Sequence, residues 1–191
     1  MEQRRGHMIR ALSTCLLLLL AGPVYAQGAY VGIGAGSSGV DTDPLLAAAS
    51  KDDKSSILKF LAGYRPFRLL AVEAFFVDLG NYSATGAVTR RAAVEGPGVA
   101  LLVFLPIAQT ADLLLKGGSF RWDMEIVDTA AGTARDHDIG AMYGVGLHLT
   151  GPGGTAALRI EYERFDKVGD EVSGIEGLDF NTVTISIIYN F

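Results

Sequence analysis

The last eleven residues alternate between apolar and polar side chains. In 181–191, Val183, Ile185, Ile187, Tyr189 and Phe191 fall on every second position. Thr182, Thr184, Ser186 and Asn190 take most of the positions between, and Ile188 breaks the pattern. A period of two puts one whole face of a strand in an apolar medium and leaves the other face polar. The strand ends on an aromatic residue at the carboxyl terminus. Any fold for this chain must therefore give a long terminal strand an apolar environment on one side only.

The amino terminus supplies the second constraint. Arg4, Arg5, His7 and Arg10 precede an apolar run centred on 16–21. Pro23 interrupts that run, and Val24-Tyr25-Ala26 places small or modest residues before a cut between Ala26 and Gln27. This is the layout of a secretory signal peptide over 1–26. The run is far shorter than the ~20 residues a transmembrane helix needs. Cys15 lies inside the run after Leu12-Ser13-Thr14, which is a poor lipidation context. An exported strand with one apolar face reads as the closing strand of an outer-membrane β-barrel.

Composition agrees with that reading. Cleavage would remove the single cysteine, so disulfides and thiolate metal sites are not expected in the mature chain, 27–191. It would also remove Arg4, Arg5 and Arg10 of 16 basic residues and Glu2 of 21 acidic ones. That leaves 13 against 20, a net charge of −7. A surface so acidic does not suit nucleic acid, and no nucleic-acid partner is expected. The chain is 49% hydrophobic yet has no second long apolar run, so a helical membrane protein is excluded. A barrel reconciles the two facts by spreading its apolar residues over alternate positions.

Eight strands are predicted, at 28–37, 57–65, 69–79, 98–105, 112–122, 138–150, 155–165 and 181–191. The segments between them alternate in length. Those at 38–56, 80–97, 123–137 and 166–180 are long and polar, whereas 66–68, 106–111 and 151–154 are short. Long extracellular loops and short periplasmic turns are expected of a bacterial outer-membrane barrel, and both termini fall on the short-turn side. Asp43-Pro44 at the head of 43–49 is a helix-start signal within the first long loop. The fold class is thus all-β: an eight-stranded antiparallel up-and-down transmembrane barrel forming one domain over 27–191.

At the level of motifs the chain resembles the OmpA-type outer-membrane barrel family. The resemblance rests on Ala29-Tyr30-Val31-Gly32, Ala62-Gly63-Tyr64-Arg65, Ala71-Val72-Glu73-Ala74 and Arg159-Ile160-Glu161-Tyr162. It implies an eight-stranded barrel plugged by lumenal charges, with no wide pore. Family members that bind peptidoglycan carry a separate domain after the barrel. This chain ends at Phe191, so that activity is not expected. The family often places a basic residue on the inner face of the fourth strand, where this chain has Leu102. The resemblance also implies that Tyr189 and Phe191 form the terminal signal read by the barrel-assembly machinery.

If the apolar faces meet lipid, the opposite faces bring Lys59, Glu73, Lys116, Arg159, Glu161 and Glu163 into the lumen. These are three positive and three negative charges. A narrow barrel is filled by side chains, so such charges must pair. A Lys59–Glu73 pair and an Arg159 network with Glu161 are expected, closing the lumen structurally rather than forming a gate. Glycines on the inner faces of the first and sixth strands make room for large neighbours. Tyr64, Phe67, Trp122, Tyr143, Tyr162, Phe165, Tyr189 and Phe191 are expected to form interfacial aromatic girdles.

Catalysis finds little support. Lipid A deacylase barrels carry His-x-Ser-Asn at the outer end of the seventh strand, where this chain has Glu161-Tyr162-Glu163-Arg164. His148-Leu149-Thr150 lies at the wrong end for lipid A, and no base is in reach of a hydroxyl nucleophile. Asp136-His137-Asp138 point to different sides of a strand. No catalytic residue, metal ligand or cofactor is expected. The expected role is structural or surface-interacting, for a monomer in contact with outer-membrane lipid and lipopolysaccharide. Acidic outer loops could bridge lipopolysaccharide phosphates through divalent cations. The alternatives are a lipid-A-modifying or acyl-binding barrel, and a soluble periplasmic lipocalin-like carrier. Against the carrier stands the apolar belt it would leave in water.

Overall fold

A computed structural model describes residues 28–40, 50–52, 54–85, 89–128, 132–168 and 178–191. The signal peptide expected over 1–26 with its cut between Ala26 and Gln27, and the helix expected at 43–49, lie outside the described residues. Nine strands follow one another: β1 (Gly28–Val40), β2 (Ser50–Asp52), β3 (Lys54–Phe67), β4 (Leu70–Thr85), β5 (Thr89–Pro106), β6 (Ala111–Asp128), β7 (Gly132–Thr150), β8 (Ala156–Val168) and β9 (Leu178–Asn190). Eight are long and pair antiparallel with their neighbours in the order β1-β3-β4-β5-β6-β7-β8-β9. Pairing of β9 with β1 closes the ring, so the sheet keeps no free edge through the barrel wall. The short β2 only adds three residues to the outer end of β4.

The period of two dictates which way each residue faces. Along β8 and β9 buried and exposed positions alternate almost without fault. Ile33, Val72, Leu101, Val145 and Ile185 face outward and are largely exposed. Their partners one position along face a filled interior. In water this belt would be untenable; in hydrocarbon it is the favourable face.

The strands run further than apolar alternation predicts. The segments 80–97 and 123–137, expected as loops, are mostly strand. Backbone pairing between β4 and β5 continues to Thr85↔Thr89, and between β6 and β7 to Asp128↔Gly132. Asp123, Glu125 and Asp128 therefore belong to β6 rather than to a loop. Beyond the lipid a strand needs no apolar face, so its sequence loses the alternation while the hydrogen-bond ladder persists. The β7–β8 ladder stops at Met142↔Phe165. Above it, residues 132–141 of β7 pair only with β6 among the described residues. Strands β4 to β7 thus project beyond β8 on the long-loop side.

Candidate functional site

The lumen has three layers. At the short-turn end Arg65 stacks on Phe104, its guanidinium carbon 3.8 Å from the ring centroid. His148 meets the same ring edge-on at 5.4 Å. Asp112 and Arg159 flank His148 in the neighbouring strands.

The middle layer holds the six buried charges. All are essentially inaccessible to solvent. Glu73 accepts from Lys116 Nζ at 2.7 Å, from Arg159 Nη1 at 2.6 Å and from the Tyr30 hydroxyl at 3.0 Å. Lys59 Nζ donates to Glu163 Oε2 at 2.6 Å and to Glu161 Oε2 at 3.2 Å. Lys116 also lies 3.0 Å from Glu163, tying the two halves together. The expected Lys59–Glu73 pair does not form. The β3–β4 register sets Glu73 opposite Gly63 and Lys59 opposite Val77, so the two are not cross-strand neighbours. Lys59 reaches across the barrel to β8 instead. Arg159 takes Glu73 as its close partner, with Glu161 Oε1 at 3.9 Å.

Small residues make these reaches possible. Gly144 lies between Lys116 and Glu163 in the ladder, and a Cβ there would fall 2.9 Å from the Glu163 side chain. Leu102 is buried beside Lys116. The hydroxyls of Thr184 and Ser186 face Glu161 and Arg159 across the β8–β9 ladder. Neither finds a hydrogen-bond partner among the described residues.

The upper layer was missed by sequence reasoning. Phe75, Phe120 and Phe165 pack within 5.1–6.4 Å of one another. Trp122, Met124, Met142 and Phe180 are buried above and around them. Trp122 and Phe165 are therefore not part of an interfacial girdle but of an apolar cap inside the barrel. Strand parity carried the signal: Trp122 shares its face with Lys116, and Phe165 shares its face with Arg159. The other six girdle residues, Tyr64, Phe67, Tyr143, Tyr162, Tyr189 and Phe191, are exposed. Cations also lie near the cap, with Lys116 Nζ 4.8 Å from the Phe75 centroid.

At the outer rim Arg164 donates to Asp166 at 2.8 Å and also to Asp179. Two of the acidic residues on the long-loop side are thus paired with an arginine. Asp170, Glu171 and Glu176 lie outside the described residues. His137 and Asp138 are exposed on β7, and His148 is packed under Phe104. Among the described residues no group of three metal-ligating side chains gathers.

The sequence matches the OmpA-like transmembrane domain over residues 25–191. The chain belongs to the OmpA-like transmembrane domain family. It is an outer-membrane protein, as its family and its lipid-facing belt both require. No curated protein sequence matches the chain. Among solved structures, Neisserial surface protein A shares 13% identity, over 87% of this chain and 99% of that one, with a TM-score of 0.65. Ail, the attachment invasion locus protein of Yersinia pestis, shares 14% over 86% and 99%, with a TM-score of 0.58. The amino-terminal barrel of Pseudomonas aeruginosa OprF shares 9% over 87% and 99%, with a TM-score of 0.56. At such identities these likenesses speak for the OmpA-like barrel fold alone. The soluble lipocalin-like carrier is excluded by the outer-membrane assignment.

Proposed function

We propose that this protein is a non-catalytic integral element of the outer membrane that stabilises the envelope and offers its projecting strands to surface partners. The observation that carries the reading is the set of side-chain layers that crosses the lumen among the described residues. The Arg65–Phe104–His148 stack, the six-charge network and the aromatic cap follow one another along the axis. Among the described residues these layers put side chains across the axis, which speaks against an acyl-sized chamber or a solute path through them. The projecting part of β4 to β7 supports surface interaction, because it extends protein beyond the lipid. Lipopolysaccharide is the natural neighbour of the outer rim. Tyr189 and Phe191, packed edge-on at 5.2 Å, suit a terminal signal for the assembly machinery, and the protein acts as a monomer.

The structure of Ail contains a heparin analogue, sucrose octasulfate. That ligand is not extended to this chain, whose rim carries Asp123, Glu125, Asp138, Asp166 and Asp179. The test is a deletion strain complemented with the full chain or with a chain whose β4–β5 and β6–β7 hairpins are shortened to the membrane rim. Restored resistance to detergent by both chains supports an envelope role. Restoration of cell adhesion by the full chain alone supports a surface role. Stepwise conductance of the purified barrel in planar bilayers, or a change in lipid A mass on its expression, would overturn the proposal.

A further inference from the structure

A cavity of about 480 Å³ opens at the short-turn end, below Arg65. Its walls come from three chain segments: the β3–β4 turn, the β5–β6 turn and the β7–β8 turn. The charge there is uneven. Arg65 is fixed by its stack on Phe104 and by donation from Nε to the Arg68 carbonyl at 3.0 Å. Its contact with Asp112 is long, at 3.4 Å. The guanidinium of Arg68, half-buried in the same wall, has no ion-pair or hydrogen-bond partner among the described residues. A structural Arg–Asp pair accounts for one guanidinium and leaves the other.

The backbone adds donors. Among the described residues, the N–H groups of Gln109 and Gly153 have no partner in the turn hydrogen bonds. Gly153 and Gly154 both have left-handed φ angles, +80° and +77°, and a Cβ on either would meet nothing within 4 Å. That stretch of backbone therefore faces open space, and glycine lets a ligand approach the main chain closely. Guanidinium groups and unpaired backbone N–H groups together make an anion receptor. Donors from three segments suit a tetrahedral oxyanion better than a flat carboxylate.

We infer that this pocket is a binding site for a phosphate group presented from the periplasmic side, with Arg68 as its principal charged donor. The volume exceeds that of a bare phosphate and accommodates a phosphate ester. Two sources share that chemistry, a soluble phosphate ester and the headgroup of an inner-leaflet phospholipid. The exposed Ile107 on the adjoining turn would lie against the acyl chains in the second case.

The full chain, folded in a phosphate-free maltoside micelle, is titrated with glycerol phosphate at constant ionic strength while backbone amide resonances are followed. A parallel set uses nanodiscs of neutral galactolipid with and without phosphatidylglycerol. Saturable shifts confined to Gln109, Thr110, Gly153 and Gly154 are expected. Arg68→Ala should weaken them by roughly tenfold, the loss of one charge-assisted contact, and Arg68→Lys should weaken them less. Heat-dependent gel mobility confirms that each variant is folded. Saturation by glycerol phosphate identifies a soluble ester, and shifts only with phosphatidylglycerol identify the headgroup. Shifts equal to those given by chloride, equal in Arg68→Ala, or absent in both sets would overturn the assignment.

Discussion

Glu73 concentrates more of the lumen's electrostatics than any other residue. One carboxylate accepts from an ammonium, a guanidinium and a phenol, all buried. Taking charges out of water is costly, and mutual attraction offsets the cost only while every partner is present. Glu73→Ala would leave Arg159 with only the distant Glu161 and take from Lys116 its closest carboxylate, and should destabilise the barrel by about 3–5 kcal/mol. Urea unfolding in lipid vesicles measures this. Arg164→Ala, which breaks a half-exposed pair with Asp166 and Asp179, should cost about 1 kcal/mol or less in the same assay. Equal losses in the two variants would mean that the lumen is wet and the network weak. Strand parity was enough to name the six lumenal charges. It could not say that Lys59 would cross to β8 and leave Glu73 to Arg159, because that choice depends on the register between strands, which parity along one strand does not carry.

At the scale of the element, the β1–β9 seam is the place where the ring shuts. Gly36 stands opposite Thr184 there, and a Cβ on it would fall 1.9 Å from the carbonyl oxygen of Val183. That neighbour is backbone and cannot swing aside. Gly36→Ala should therefore part the seam locally at a cost of about 1–3 kcal/mol, the usual range for overpacking. Faster hydrogen exchange at the amides around Val183 is the expected signature. Gly117→Ala on β6 is the contrasting case: nothing lies within 4 Å of its Cβ. There a side chain only limits the unfolded chain and covers open surface, so stability should hold or rise by about 0.5–1 kcal/mol. The eight long strands themselves were legible from the sequence, but their outer ends were not. Apolar alternation reports contact with lipid, whereas the ladders of β4 to β7 continue where lipid has ended.

For the whole molecule the governing quantity is the apolar belt. Ile185 lies within it, beside Ala35 on one strand and Ile160 on the other. Ile185→Arg should cost about 2–4 kcal/mol near the bilayer midplane. The measurement is vesicle unfolding, and an unchanged curve would place this face away from hydrocarbon. The wild-type chain should migrate differently on gels with and without boiling, since the closed ring resists detergent until heated. A barrel without that shift would contradict the closure of β1 on β9.

The sequence by itself determined the class of the molecule. A repeated period of two and polar segments of alternating length admit few folds, because a backbone in lipid must satisfy its hydrogen bonds in a helix or a closed barrel. It also carried, in the parity of each strand, which residues face inward, although Trp122 and Phe165 were expected in the girdle and lie inside the barrel. Which inward residues touch was decided only by the tertiary structure. Contact across a barrel depends on register and stagger summed over every hairpin, and one bulge moves every pair beyond it. The aromatic cap and the pocket beneath Arg65 arise in the same way. Each gathers residues from strands or turns far apart in the chain, and no local pattern marks their meeting.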